Sequence, residues 1–157
     1  MPSREATIAA IESGIMRWQD ATQAFDEAVG ERYRLNPAER RALSVVVQQP
    51  RPSGEVARLV GLKPPSVTAL VDRLEKRGFV RREPDPEDRR KTLIAATAKT
   101  RAMAEECYMP LARAGRELFT RYTEDDLALI LDLLSRVTEI QEAALGAMSA
   151  GSPDDIG

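Results

Sequence analysis

The side chains best equipped for chemistry in this chain lie between Ser53 and Arg101. Within that stretch runs Pro84-Asp85-Pro86-Glu87-Asp88-Arg89-Arg90-Lys91, where a carboxylate stands two positions before an arginine in a short basic hairpin. Asp88 can pair with Arg90 and fix its direction. An arginine so held can enter a narrow minor groove, where the potential of a duplex is most negative. Arg89 and Lys91 would then meet flanking phosphates. Without nucleic acid the same pair is a hairpin clasp, worth little when exposed. Upstream, Pro64-Pro65-Ser66-Val67-Thr68 opens a helix with small, uncharged residues, so its backbone can approach a groove floor and its first N–H groups point toward phosphates. Ser66 and Thr68 can hydrogen-bond base edges or phosphate oxygens, and Pro65 and the Thr68 methyl can touch a thymine methyl. Arg73 lies further along, in reach of the backbone or a guanine. An ordinary amphipathic helix with a solvated face accounts for Lys76 and Arg77, but not for that uncharged start.

Other chemistries find little support. The chain of 157 residues has no histidine and one cysteine, Cys107. A histidine-based triad is impossible, and a tight zinc, copper or haem site is not expected, nor any other cofactor. A lone cysteine cannot form an internal disulfide, which fits a reducing cytosol. Cys107 has no histidine to activate it and has Glu105 and Glu106 beside it, so it reads as an inert buried thiol. Acidic residues sit at helix starts and on exposed faces without a pocket motif, which argues against an enzyme. No run of apolar residues is long enough to span a membrane, and none of signal-peptide type follows the first residues. The net charge of −2 hides an asymmetry: residues 53–101 carry 12 Lys or Arg against 7 Asp or Glu, and the remainder is acidic. A basic middle between acidic ends fits a DNA reader with a separate dimerising scaffold. The 19 arginines against 4 lysines are a compositional association with GC-rich bacterial genomes.

The elements that would position these residues are mostly helices, with one small β-wing. Residues 6–33 form a long N-terminal helix with a narrow apolar seam (Ile8, Ile11, Ile15, Trp18, Phe25, Val29, Tyr33) of the kind that packs on another long helix. Asn36-Pro37-Ala38-Glu39 starts a second helix with a capping box, burying Ala42, Leu43, Val46 and Val47 until Gln49-Pro50-Arg51-Pro52 stops it. Ser53 caps a third helix to Val60, with Gly61 left-handed at its end. Pro64 to Arg77 is the fourth, with Val67, Leu70, Val71 and Leu74 on its buried face. Strands Phe79–Glu83 and Thr92–Ala96 make the hairpin. Thr97 caps a fifth helix to about Arg121, kinked at Pro110. Thr123-Glu124-Asp125-Asp126 starts a sixth, which runs to Met148. The expected organisation is therefore an N-terminal dimerisation helix (6–33), a winged helix-turn-helix DNA-binding domain (36–97), C-terminal dimerisation helices (98–148) and a flexible tail (149–157). Apolar seams at both ends of a short chain point to a homodimer.

The stretch Leu70-Val71-Asp72-Arg73-Leu74-Glu75-Lys76-Arg77-Gly78-Phe79-Val80-Arg81-Arg82, followed by Asp85-Pro86-Glu87-Asp88-Arg89-Arg90, Leu93 and Thr97 to Arg101, resembles the multiple antibiotic resistance regulator (MarR) family. The match runs without gaps, and the order of flanking helices agrees. One departure is Ala96, where the family has a larger apolar residue, an exchange expected to loosen the wing. The resemblance implies a cytoplasmic bacterial regulator, nucleoid-associated when bound. It implies an obligate dimer with first, fifth and sixth helices interlocked, bound to a palindromic promoter site on double-stranded DNA, usually as a repressor. The DNA-contacting residues expected are Ser53, Lys63, Pro65, Ser66, Thr68, Arg73, Arg77, Asp88, Arg89, Arg90 and Lys91. A small aromatic or anionic effector is a family expectation, and Trp18, Met16, Phe25 and Met103 are candidates to line its pocket, although a tryptophan on a helical seam is more often core. The alternative reading is a winged-helix protein used for protein contacts alone.

Overall fold

The computed structural model describes residues 2–150; of the tail expected at 149–157, only the backbone of residues 149 and 150 falls among them. Helix α1 (Arg4–Tyr33) opens at Ser3, whose hydroxyl accepts from Ala6 N at 3.2 Å, and closes at Arg34, left-handed at φ 52°. That turn lets Leu35 N donate to the Gly30 carbonyl at 2.8 Å. Burial along the apolar seam is partial: Val29 is buried and Ile15, Phe25 and Tyr33 are half-buried, whereas Ile8, Ile11 and Trp18 are exposed. Helix α2 (Pro37–Gln48) has the expected capping box, Glu39 N donating to Asn36 Oδ1 (2.8 Å) and Asn36 N to Glu39 Oε2 (3.0 Å).

A strand the sequence reading missed follows. Strand β1 (Arg51–Pro52) pairs antiparallel with the later strand Thr92–Ala96, Arg51 opposite Ile94 and Pro52 opposite Leu93. Two residues carry no alternation to detect, and prolines suggest a break; on a sheet edge, however, a proline forfeits no ladder bond. The strand also displaces the expected cap. Pro52, held extended, is the N-cap of α3 (Ser53–Val60), and Ser53 is its first residue, with no side-chain cap bond. Gly61 ends α3 at φ 74° as expected. Helix α4 (Pro64–Lys76) buries Val67, Leu70, Val71 and Leu74. Gly78, at φ 73°, then turns the chain so that Phe79 N donates to the Leu74 carbonyl at 2.9 Å.

The wing strands are β2 (Val80–Pro84) and β3 (Thr92–Ala96), paired from Val80–Ala96 to Pro84–Thr92, in the sheet order β1-β3-β2. Phe79 lies before the strand rather than in it, as a fully buried core side chain. Ala96 is 1% exposed, so a small residue fills that place without leaving the strand end open. The core joins these residues to Leu43, Val46, Val56, Ile94 and Met103.

The expected fifth helix is two. Helix α5 (Ala98–Cys107) ends at Tyr108, and α6 (Met109–Phe119) begins at once. Pro110 therefore sits in a first turn, where its missing N–H is not needed, instead of kinking a continuous helix. Thr97 is the N-cap of α5 as expected, but its side chain makes no cap bond; its hydroxyl lies 2.7 Å from the Gly78 carbonyl and 3.1 Å from that of Phe79. Helix α7 (Glu124–Ala150) opens on a reciprocal cap, Asp126 N donating to Thr123 Oγ1 (3.2 Å) and Thr123 N to Asp126 Oδ2 (3.0 Å). The chain divides into two compact units, one up to Met109 and one from Pro110. Thr100 and Met103, both buried, tie α5 to the first.

The fully buried Thr100 hydroxyl donates to the Phe79 carbonyl, which also receives Thr97 N at 3.1 Å. A Thr100→Val substitution keeps the shape, removes that donor and should cost roughly 1 kcal/mol of unfolding free energy. Urea denaturation measures it, and an unchanged midpoint would contradict this role for the hydroxyl.

Candidate nucleic-acid interface

Burial of one face of α4 leaves the other outward. Lys63, at its N-cap position, and Pro64, Pro65, Ser66, Thr68, Ala69, Arg73 and Lys76 are all exposed. The Thr68 hydroxyl donates to the Pro64 carbonyl at 3.2 Å, which spends its proton inside the helix. Its oxygen is left as an acceptor, suited to the amino group of adenine or cytosine. With two prolines in the first turn, the approach to that face is neutral and narrow.

The wing loop between β2 and β3 is internally fixed. Asp85 N donates to the Lys91 carbonyl (3.0 Å), Lys91 N to the Asp88 carbonyl (2.8 Å) and Glu87 N to Asp85 Oδ1 (2.8 Å). Asp88 Oδ1 accepts both Arg90 N (3.1 Å) and Arg90 Nε (3.2 Å). The Asp88 side chain is 29% exposed and that of Arg90 is 91%, so a partly sheltered carboxylate holds a guanidinium in solvent. Arg89 and Lys91 are exposed beside it.

Arg82, on β2, sets the wing against α4. Its NH2 group meets Asp72 Oδ1 at 2.6 Å, its NH1 group pairs with Glu75, and its backbone N donates to Glu75 Oε1 at 3.0 Å. These carboxylates, Asp72 first, hold the guanidinium pKa above its ordinary value. The sequence reading did not single Arg82 out, since nothing in its neighbourhood indicates that the chain folds back onto two acids of α4.

Two expected contacts stand differently. Ser53 is half-buried at the start of α3. Arg77 is turned inward: its NH2 group donates to the Tyr33 carbonyl (2.7 Å), its NH1 group to Glu39 Oε2 (3.5 Å), and its guanidinium carbon lies 5.1 Å from the Phe79 ring centre. Lys99 packs on the same ring at 4.2 Å and donates to the Arg77 carbonyl.

The four side chains expected around an effector are not brought together. Met16 and Trp18 are exposed on α1, Trp18 at 62%, so the tryptophan is not core within one chain. Phe25 packs edge-on against Tyr108, ring centres 5.4 Å apart. Met103 is buried beside a cavity of about 300 Å³ between α2 and α5, where Leu43, Val47 and Met109 give apolar walls and Arg40 and Tyr108 supply polar groups. The Tyr108 hydroxyl donates to Asp26 at 3.0 Å; burial, then that bond, pushes its pKa up to about 12. Cys107, expected to be buried, is half-buried and borders a separate open cleft with Phe25 and Arg32. Among the described residues no three His, Cys, Asp or Glu are placed to hold a metal, and no helix is long and apolar enough to cross a membrane.

A recognition helix with one outward face, braced by a three-stranded wing, defines a winged helix-turn-helix DNA-binding transcriptional regulator. The model of the MarR family matches residues 35–91. The chain is 34% identical over 125 residues to the HTH-type transcriptional regulator YcgE of Bacillus subtilis, a match covering 79% of this chain and 81% of that protein. It is also similar to the crystal structure of CouR from Rhodococcus jostii bound to p-coumaroyl-CoA, with a TM-score of 0.56 and 26% identity over 81% of this chain and 90% of that one. A MarR family protein from Bacillus stearothermophilus shares the fold, with a TM-score of 0.62 and 19% identity over 90% and 99% of the two chains. The chain belongs to the MarR family.

The inward turn of Arg77 has a measurable consequence. An Arg77→Ala substitution removes charge-assisted bonds that join α4 to α1 and α2, and should lower stability by roughly 1.5–3 kcal/mol. Denaturant titration reads it; a variant as stable as wild type would return Arg77 to the solvated face.

Proposed function

We infer that the protein is a ligand-responsive repressor that binds a palindromic promoter site as a homodimer, one α4 in each of two successive major grooves and each wing in the adjoining minor groove. The observation that carries this reading is the Asp88–Arg90 clasp beside an α4 whose exposed start is neutral. The first aims a cation, and the second lets backbone approach bases. Lys63, Arg89 and Lys91 supply phosphate contacts; Pro65, Ser66, Thr68 and Arg73 face the bases and backbone.

A second copy of the chain is called for by exposed apolar residues on separate helices. Ile8, Ile11 and Trp18 of α1 and Leu129, Leu131, Ile140 and Leu145 of α7 are all exposed, and α6 has no buried residue. Faces of this extent on a short chain are covered by association. The site for an effector is the cavity between α2 and α5, apolar on most sides with Arg40 and Tyr108 at its edge, a chemistry suited to a small aromatic anion. CouR, which is similar to this chain, was solved bound to p-coumaroyl-CoA.

Fluorescence anisotropy against fragments upstream of the protein's own gene and its neighbours tests the reading. Tight binding to one fragment, weakening steeply as salt rises, is the expected result. Footprinting of that fragment should show half-site centres about 10 bp apart. An Arg90→Ala variant should lose roughly 1–3 kcal/mol of binding free energy while remaining folded. Weak binding that ignores sequence and salt would instead favour a winged helix that serves a protein partner.

A further inference from the structure

Glu39 is the only charged residue buried among the described residues. An acid three residues after an N-cap ordinarily closes a capping box at the surface, and that is all its position in the sequence suggests. Here its side chain is 6% exposed and has two further partners on a helix more than thirty residues away. Oε2 accepts from Asn36 N (3.0 Å) and Arg77 (3.5 Å), and Oε1 accepts from Arg73 Nε (3.3 Å). A carboxylate withdrawn from water in this way is too costly to leave unpaired, so the arginines are held with it.

The bond to Arg73 uses only Nε. The two terminal nitrogens of a guanidinium so anchored form a fork free to take phosphate or guanine. The Arg73 side chain is 54% exposed, on the outward face of α4. The wing repeats the device, since Arg90 is likewise gripped at Nε by a better sheltered carboxylate. We propose that Glu39, which does not itself reach DNA, is the positioning residue of the recognition helix: it aims Arg73 at the duplex. Through Arg77 and the Tyr33 carbonyl the same carboxylate ties that aim to the end of α1. This rests on the DNA-reading role given to α4 above.

A double-mutant cycle tests it. Wild type, Glu39→Gln, Arg73→Ala and the double variant are titrated by anisotropy against the upstream fragment that wild type binds most tightly, each folded by circular dichroism and thermal melting. If Glu39 acts through Arg73, Glu39→Gln lowers affinity roughly tenfold in the wild-type background and leaves it unchanged where Arg73 is already alanine. An equal loss in both backgrounds, or no loss in either, makes Glu39 a structural clasp and overturns the proposal. So does an Arg73→Ala variant that binds like wild type, although salt-sensitive binding by wild type would then leave the DNA reading standing. Wild type that binds every fragment weakly and without salt dependence overturns both. Should Glu39→Gln fail to fold, Arg73→Lys decides: it keeps the charge but cannot both hold Glu39 and present a fork. The positioning role predicts a loss close to that of Arg73→Ala, and wild-type affinity contradicts it.

Discussion

The DNA-binding lobe depends on burial of one face of α4. Val67, Leu70, Val71 and Leu74 are each no more than 2% exposed, and burying side chains of this size is worth about 1.5–3 kcal/mol apiece. That burial fixes the roll of the helix. Successive residues lie about 100° apart, so a slip of one position would carry Thr68 and Arg73 off the outward face and bring polar atoms against Leu43, Val46 and Val56. The outward placement of the neutral helix start and the exposure of Lys63 both follow from this one constraint. Arg82 then transmits it to β2 by pairing with Asp72 and Glu75 on the flank of the same helix.

Polar bonds bind this lobe to the helices around it. Arg77 and Glu39 join α4 to the end of α1 and the start of α2, and Tyr33 donates to Glu106 of α5 at 2.8 Å. Glu39 and Arg40 are adjacent on α2, one turned to the recognition helix and the other lining the cavity between α2 and α5. A molecule that displaces the first turn of α2 therefore displaces the anchor of Arg73 as well. In an equilibrium between two arrangements, a ligand acts only through its difference in affinity for them, and the first turn of α2 is where cavity and reading face meet.

Much of this was legible in the sequence because it rests on local rules. The capping box at Asn36, the left-handed Gly61, the buried stripe of α4 and the strand Thr92–Ala96 are each written within a few neighbouring residues. What was not legible depends on residues distant in sequence. Strand β1 exists because β3 offers it an edge; the Thr97 hydroxyl bonds the Gly78 carbonyl instead of its own helix; Arg77 turns inward because Tyr33 and Glu39 wait there. Pro110 suggests a kink because the sequence alone does not show that a helix ends at Cys107 and another begins at Met109. The exposed tryptophan shows the same limit in reverse, since a seam identifies a face that will be covered but not whether the cover belongs to the same chain.

On the function proposed above, the outward face of α4 and the wing loop touch DNA together. Hydrogen exchange across Ser66–Leu70 and Glu87–Lys91, compared with and without a bound promoter fragment, tests it most directly. Slower exchange in both segments is the result expected when DNA is bound. Unchanged exchange in both, with binding of the fragment confirmed in the same sample, would contradict it.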